Sequence, residues 1–409
     1  MESRRLKITP FDYVTIVLVI FLVMIGLVAI YSSTYHIDPN SVLKANFSKQ
    51  ITWFAVSFIF MIALILLNPK YLHMFAYTIY GISIGLLCLT YFFPASVGVH
   101  RWIIIGSVQF QPSEFAKIGV ILALAKYLSA EKRDLHKIND ISISFLIVLV
   151  PFIIIARQPD LGTSLVYIGL ILPLLYWAGL PTYLLVAILA PLLSLISAFN
   201  FYTFFVAMII LMFIFYIFRR GVKFIFFNLL LNVGVGLITP IIWNKLHQYQ
   251  RHRILTYLGI EMDVQGTGYQ VIQSKVAVGS GGFWGKGFLD GTQTQLRFLP
   301  AQHTDFIFSV IGEEFGFIGI LIILLMFYLL IIRGIYIAAK ARSKFSSLIS
   351  MGAVIVMSIH VIVNVSMTVG IMPVTGIPLP LISYGGSSLM TSMMLIGLII
   401  NTSIRRYRY

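Results

Sequence analysis

One acidic residue stands where a polar segment becomes a long apolar one, and it is the leading candidate for a catalytic group. The stretch KGFLDGTQTQLRFLPAQHTDFIFSVIGEEFGFIG, at 286–319, is rich in Gly, Gln and Thr up to His303, Thr304 and Asp305, and apolar beyond them. Thr304 is a candidate N-cap, which would place Asp305 in the first turn of a membrane helix. A carboxylate there, open to a wet cavity, can act as a general base. The alternative is a capping acid without a chemical role.

A second group of charges lies in QPSEFAK, at 111–117. Pro112 or Ser113 would begin a helix, and Glu114 and Lys117 would share one face of it because they are three residues apart. Near the interface they would form a compensated ion pair, whereas inside a helical bundle they would mark a functional site. Arg101 lies shortly upstream. Arg101 and Lys117 are candidates for binding pyrophosphate or for fixing nearby carboxylates.

A third group lies in RQPDLGTS, at 157–164. The proline after Gln158 breaks one helix, and Asp160 can cap the next. Arg157 and Asp160 either line a site or form a polar turn between helices. His303 is an interfacial residue or a hydrogen-bond partner rather than a metal ligand, because its spacing from Asp305 is not that of a helical ligand pair.

Two glycine-containing segments complete the set of motifs. SKVAVGSGGFWGKG, around 274–287, lacks the strand-to-helix context and the Lys-Ser/Thr ending of a nucleotide-binding loop, so no nucleotide is expected. Near the C-terminus, prolines at 373, 378 and 380 break the helical pattern before Ser383 and the following Tyr-Gly-Gly. Broken backbone at membrane depth is tolerated where protein or a cavity satisfies its polar groups. The glycine pair serves either close helix packing or contact with a substrate.

The elements that must position these residues are membrane helices. The chain has 409 residues, of which 59% are hydrophobic and 11% charged, against about 25% charged in soluble domains. Apolar runs of about 17–25 residues predict roughly twelve spans in a single all-α membrane domain over 1–409. The predicted spans are 12–33, 51–68, 71–93, 113–129, 142–157, 161–179, 181–198, 201–218, 224–244, 305–333, 347–370 and 380–403.

Positive charge predicts the orientation of these spans. With twelve of them, the Lys and Arg clusters near positions 4–7, 132–137, 219–223, 340–344 and 405–408 all fall on one side, so both termini should be cytoplasmic. The net charge of +15 then reflects orientation, not nucleic-acid binding. The long loop 245–303 would lie outside, and its excess of cations suggests a phosphate-bearing partner. The single Cys88 cannot form an internal disulfide.

The four motifs, in this order, resemble those of the SEDS family of cell-wall polymerases. The segments GIPLPLISYGGSS and GTQTQLRFLP are closer to the elongation (RodA) branch of the family than to the division (FtsW) branch. Most members have ten spans, so the stretch 181–244 implies an extra helical hairpin here. The resemblance implies that Asp305 is the residue required for polymerisation, and that Arg101, Glu114, Lys117, Arg157, Asp160, His303 and Ser383 line the substrate cavity.

The resemblance also implies the substrate, reaction and partner. The substrate would be lipid II, an undecaprenyl-pyrophosphate disaccharide-pentapeptide, polymerised into β-1,4 glycan strands in the bacterial cytoplasmic (inner) membrane, with the active site facing outside. Inversion at the donor carbon needs one base, and the pyrophosphate leaving group needs charge stabilisation from Arg, Lys or a divalent cation such as Mg²⁺ or Mn²⁺. No organic cofactor is expected. A class B penicillin-binding protein would supply the transpeptidase.

Three other functions remain open from the sequence. A flippase or transporter of lipid II would also have intramembrane charges and proline-broken helices. A division polymerase would catalyse the same reaction with other partners. A polymerase or ligase acting on another lipid-linked sugar is the third.

Overall fold

The computed structural model describes residues 12–35, 45–93, 101–106, 108–245, 251, 255 and 267–405. Within these residues a helix occupies every one of the twelve predicted spans. The helices are α1 (Tyr13–Thr34), α2 (Asn46–Leu66), α3 (Pro69–Leu89), α4 (Pro112–Ser129), α5 (Ile138–Arg157), α6 (Leu161–Ala178), α7 (Thr182–Ser197), α8 (Phe201–Ile217), α9 (Val222–Lys245), α10 (Thr267–Ser280), α11 (Thr292–Gln295), α12 (Ile307–Ala339), α13 (Lys344–Thr368) and α14 (Gly386–Arg405). The predicted all-α membrane fold is confirmed, with α10 and α11 as additional helices ahead of α12.

Most of the helices have the length and composition of membrane spans. Eight of those described are long and apolar enough to cross a bilayer, and α6, α7 and α8 are apolar but shorter. Helix α4 differs because its 18 residues include Glu114, Lys117 and Lys126. Glu114 and Lys117 are buried in the protein. Burial among other helices is the arrangement expected for charges at membrane depth.

A short hairpin leads into α4. Strands β1 (Ile103–Ile105) and β2 (Val108–Phe110) pair antiparallel, with Ile103 opposite Phe110. Gln111 then caps α4 in an extended conformation, and Pro112 occupies the first turn, where its missing N–H costs nothing. The hairpin therefore sets Arg101, which precedes β1, close in space to the start of α4.

Two helices are interrupted by irregular backbone. Between α13 and α14 the chain is non-helical from 369 to 385, as its three prolines predict. Helix α12 is broken at Gly316, whose φ of 63° and ψ of −161° are not helical. The glycine-rich loop 281–287 fills this break: the N–H groups of Lys286 and Gly287 donate to the carbonyls of Glu313 and Glu314, and Phe317 N–H donates to Gly282 O.

Glycine is required where this loop meets α12. A Cβ on Gly285 would lie 2.1 Å from the carbonyl oxygen of Glu314, and one on Gly281 would lie 2.0 Å from that of Gly312. Any other residue would force the loop away from the broken helix and leave backbone groups there unpaired, which is costly for buried polar groups.

The chain forms two compact units. The larger comprises Met1–Asp134, Ile138–Leu174 and Val264–Tyr409, and it contains all the candidate site residues. The smaller comprises Leu135–Lys137 and Leu175–Asp263. It has its own apolar core around Ala190, Leu211 and Phe215. The smaller unit also has a buried polar chain, in which Ser194 Oγ donates to Asn232 Oδ1 at 2.7 Å.

The start of α12 differs from the prediction, and the loop before it is described only in part. The prediction that Thr304 caps α12 and places Asp305 in its first turn is wrong: the N-cap is Phe306, without a side-chain cap, and the first turn contains no acid. The cause is an extra turn over 301–306 between Pro300 and the helix. The predicted loop 245–303 is described only in part, because 246–250, 252–254 and 256–266 lie outside the described residues, as do the terminal basic residues 4–7 and 406–408.

Candidate active site

Asp305 lies in the turn just before α12, with its side chain partly exposed. Burial raises the pKa of Asp305 to about 6; a hydrogen bond from the Thr304 side chain opposes the rise, and the negative charge of Asp160 adds to it. A carboxyl group with this pKa is ionised at neutral pH and still basic enough to accept a proton. Asp305 therefore has the electrostatic properties of a general base.

The turn that presents Asp305 is held by its backbone. Asn364, in α13, donates through Nδ2 to the carbonyl oxygens of both Asp305 and Ile377, at 2.9 and 2.8 Å. Ser383 Oγ donates to the carbonyl of Thr304 at 2.6 Å and accepts from Leu379 N–H at 2.8 Å. The proline-broken segment 373–385 therefore braces the turn, and the buried Ser383 hydroxyl is engaged in that bracing.

His303 lies in the same turn, two residues before Asp305. Its backbone carbonyl accepts from Tyr384 N–H at 2.9 Å, and the two rings lie 5.6 Å apart between centroids. Burial lowers the pKa of His303, so the imidazole is neutral at physiological pH. A neutral ring can donate or accept a hydrogen bond but adds no positive charge beside Asp305.

Asp160 caps α6, as the sequence predicts. Its carboxylate accepts from Thr163 N–H at 3.2 Å and from Thr163 Oγ1 at 2.9 Å. Gln111 Nε2 also donates to it, at 3.2 Å, and joins the start of α4 to the start of α6. Since Asp160 influences the pKa of Asp305, these two acids lie within electrostatic reach of each other.

Of the two arginines predicted to line the site, Arg101 contacts the group around Asp160 and Arg157 does not. Arg101 donates through Nε to the carbonyl of Gln158 at 3.2 Å and through a terminal nitrogen to the carbonyl of Pro159, and its guanidinium lies 4.0 Å from Asp160. Arg157 is exposed at the end of α5. Among the described residues, no hydrogen bond or ion pair joins Arg157 to Asp160.

Glu114 and Lys117 form a buried ion pair, 2.6 Å apart, with side chains only 4% and 1% exposed. The pair is therefore packed inside the protein rather than exposed on its surface. Lys117 Nζ also lies 2.9 Å from Nε2 of His360, on α13. A small cavity beside the pair is lined by these three residues together with Pro380, Thr391 and Ser392, among others.

Glu313, eight residues after Asp305, is a buried anchor that the sequence analysis did not identify. It accepts from Lys286 Nζ at 2.7 Å and from Thr292 Oγ1 at 3.2 Å. It also accepts from the backbone N–H groups of Gln293 and Thr294, at 2.8 and 3.0 Å. One carboxylate thereby fixes the polar segment GTQTQ to the helix that follows Asp305. The sequence feature that could have identified Glu313 is the presence of an acidic residue inside an apolar stretch.

Three further residues were missed, and all are polar side chains inside apolar helices. Asn364 and His360 lie one turn apart on α13, and Gln50 of α2 accepts from Gly385 N–H at 3.2 Å and donates to the Ser383 carbonyl at 3.2 Å. A polar residue in a membrane span indicates an internal partner. The identity of that partner depends on how the helices pack, and the sequence pattern does not predict this packing.

The described residues contain no group of three or more His, Cys, Asp and Glu side chains arranged to hold a metal ion. The acids within reach of each other at the site are Asp305 and Asp160. Mg²⁺ is commonly held by one or two carboxylates together with substrate phosphates, so a Mg²⁺ site here would need a phosphorylated ligand in addition to these acids.

The chain matches known proteins over its whole length. The family model for cell cycle proteins of the FtsW, RodA and SpoVE type matches residues 13–208 and 203–408. Peptidoglycan glycosyltransferase MrdB of Escherichia coli K12 is 35% identical over 410 residues, covering 99% of this chain and 98% of that protein. Peptidoglycan glycosyltransferase RodA of Treponema pallidum is 32% identical over 429 residues, covering 98% of this chain and 99% of that protein.

A solved structure gives the same result for the fold. A chain from a peptidoglycan synthase complex, described as coordinating polymerization and crosslinking, is 29% identical, with a TM-score of 0.74 and coverage of 98% of this chain and 99% of that one. Together, the family model, the relatives and this structure show that the chain is a member of the FtsW, RodA and SpoVE family of cell cycle proteins, the SEDS family indicated by its motifs.

Proposed function

We propose that this protein is a peptidoglycan glycosyltransferase that polymerises lipid II into β-1,4 glycan strands. The observation that carries the proposal is Asp305, a braced and partly buried carboxylate with a pKa of about 6. Family membership and the names of the relatives support the same activity.

The reaction needs one proton acceptor. Asp305 takes the proton from the 4-hydroxyl of the acceptor lipid II as that oxygen attacks the anomeric carbon of the growing chain. The bond from this carbon to the lipid pyrophosphate breaks, and its electron pair leaves with the pyrophosphate. Attack opposite to the leaving group converts an α-linked donor into a β-linked product, so a single displacement is sufficient.

The pyrophosphate requires stabilisation of negative charge rather than an acid. Arg101, half-exposed beside Asp160, can bind phosphate oxygens. Lys117, paired with Glu114, either binds pyrophosphate or fixes nearby carboxylates. A Mg²⁺ or Mn²⁺ ion, if one takes part, would be held by Asp305 and Asp160 with pyrophosphate oxygens, and it would neutralise charge on the leaving group.

Family membership also supports a proposal for the membrane location, the orientation and the partner of this protein. We propose that the protein lies in the bacterial inner membrane with both termini cytoplasmic and Asp305 at the outer face. A class B penicillin-binding protein is the proposed partner, supported by the similar chain that was solved in a peptidoglycan synthase complex. The relatives named MrdB and RodA, together with the GIPLPLISYGGSS motif, favour a role in elongation over one in division.

The test is polymerisation by the purified protein. Wild-type protein in detergent, given lipid II, should produce glycan strands visible on a gel. Asp305→Asn should produce none above background while remaining folded and able to bind its partner. The matched control is Asp290→Asn, the same change at an exposed acid of the adjacent loop, which should retain wild-type activity.

The same experiment separates the polymerase from a flippase. A flippase makes no polymer in detergent, where there is no bilayer to cross. Absence of strands from well-folded wild-type protein with its partner present would therefore reject the proposal. Wild-type strand production by Asp305→Asn would keep the enzyme but reject Asp305 as its base, and Glu114 or Asp160 would be tested next.

A further inference from the structure

The buried ammonium group of Lys117 is held by two partners. Its Nζ lies 2.6 Å from Glu114 Oε1 and 2.9 Å from His360 Nε2. All three side chains are at least 95% buried. A buried lysine with one partner would keep two N–H groups unsatisfied and could rotate, whereas two acceptors in different directions fix the position of the nitrogen.

The contact also fixes the protonation of His360. An ammonium group can only donate, so Nε2 of His360 must accept and cannot carry a proton. A neutral imidazole then has its proton on Nδ1, which lies 3.3 Å from the carbonyl oxygen of Pro378. Both contacts are those expected of the neutral Nδ1–H tautomer of His360, which joins Lys117 on one side to the backbone of the proline-broken segment on the other.

Pro378 belongs to the segment that braces Asp305. The adjacent carbonyl, that of Ile377, accepts from Asn364, and the same Asn364 amide donates to the Asp305 carbonyl. His360 and Asn364 are four residues apart on α13 and so project from the same face of the helix. One face of α13 therefore holds the ammonium group of Lys117, two consecutive carbonyls of the segment and the Asp305 turn.

A small cavity with both polar and apolar lining residues adjoins this arrangement. The cavity has a volume of about 10 Å³, which is close to the smallest space that holds one water molecule. Thr391 Oγ1 lines the cavity, is buried and has no hydrogen-bond partner among the described residues. Lys117 therefore borders a small open space, and among the described residues the polar contacts of its ammonium group are those with Glu114 and His360.

We propose that His360 is a positioning residue, which fixes the ammonium group of Lys117 beside Glu114 and couples it to the segment that braces the Asp305 turn. The inference rests on the proposed glycosyltransferase function, in which Lys117 acts at the pyrophosphate or on nearby carboxylates. His360 itself touches no reacting atom. It acts through Nε2 of its imidazole ring, which accepts a hydrogen bond from Lys117 and so positions the ammonium group.

Two substitutions separate this role from simple packing. His360→Gln keeps an acceptor for Lys117 and a donor for Pro378, but it loses the ring. His360→Phe keeps a ring of similar size and loses both polar groups. The turnover rate at saturating lipid II should stay within about threefold of wild type for Gln and fall roughly 10- to 100-fold for Phe, as expected for misplacement of a group by about 1 Å. Ser350→Ala, a buried change on the same helix, is the control.

A measurement independent of activity keeps the proposal testable if the Phe variant fails to fold. In protein labelled with ¹⁵N-histidine, the His360 signal is identified as the one missing from His360→Gln. It should show an unprotonated Nε2 and a protonated Nδ1, and Lys117→Met should shift the Nε2 resonance. If wild-type protein makes no polymer, the proposed function fails, and this spectrum alone decides whether His360 holds Lys117.

Three results would overturn the proposal. The first is a Phe variant as active as wild type. The second is a Gln variant no better than Phe, which would assign His360 a packing role. The third is an Nε2 resonance that is protonated, or that is unchanged by Lys117→Met.

Discussion

The pH dependence of polymerisation provides a demanding test of Asp305. Its pKa rises from an ordinary value of 3.8 to about 6, mainly because of burial. A general base acts only in its ionised form, so the rate should be half-maximal near pH 6 and about one-tenth of maximal at pH 5. For a carboxyl group with an ordinary pKa, the same fall would be centred near pH 4.

As the pH rises through 6, the rate should increase, whereas the contribution of Asp305 to the stability of the folded protein should decrease. Because the pKa of Asp305 is higher in the folded protein than in the unfolded chain, the folded state binds this proton more tightly, and that contribution to stability is lost as the pH rises through 6. The rise from 3.8 to about 6 corresponds to at most roughly 3 kcal/mol at pH 7.5. Asp305→Asn, which cannot ionise, should therefore unfold at a temperature equal to or higher than wild type.

The assay combines both measurements on the same preparations. Initial rates of glycan-strand formation in detergent are recorded from pH 4.5 to 8.5, and thermal unfolding is followed at pH 7.5. Asp305→Asn should lose about 10²–10⁴-fold in rate without loss of stability, and Asp305→Glu should also be poor, because an extra methylene displaces the carboxylate by more than about 1 Å. A rate profile flat down to pH 5, or an Asn variant that is inactive only because it is less stable, would refute the assignment.

Three further predictions concern the loop, the orientation and the extra hairpin. Glu313→Gln removes the buried partner of Lys286 and should lower the unfolding free energy by about 2–4 kcal/mol, with faster proteolysis of the segment 286–298; unchanged proteolysis would contradict the anchoring role. In intact cells, an impermeant thiol reagent should label a Cys introduced at Gln293 and spare one at Gly221; the reverse pattern would invert the proposed topology. Removing the hairpin 181–218 should weaken stability or partner choice more than catalysis, so a folded, partner-bound deletion variant without polymerase activity would show that the hairpin belongs to the active site.

The sequence determined features that depend on neighbouring residues in the chain. Apolar run lengths predicted twelve of the fourteen helices among the described residues, because a membrane span requires a continuous apolar stretch of about 20 residues. The spacing of Glu114 and Lys117 gave their ion pair, and the position of Asp160 after a helix-breaking proline gave its capping role. Asp305 was identified by its type and its place at a polar-to-apolar junction, although the turn that carries it was not.

Only the tertiary structure decided which distant groups meet. Nothing local to His360, Asn364 or Gln50 indicates that they bind Lys117, the Asp305 carbonyl and Gly385, since each contact joins segments that are far apart in the chain. The pKa of Asp305 likewise depends on burial by segments far along the chain and on the charge of Asp160. Periodicity and residue type record the environment that a side chain needs, whereas the choice of partner is made by helix packing, which brings residues more than two hundred positions apart within hydrogen-bonding distance.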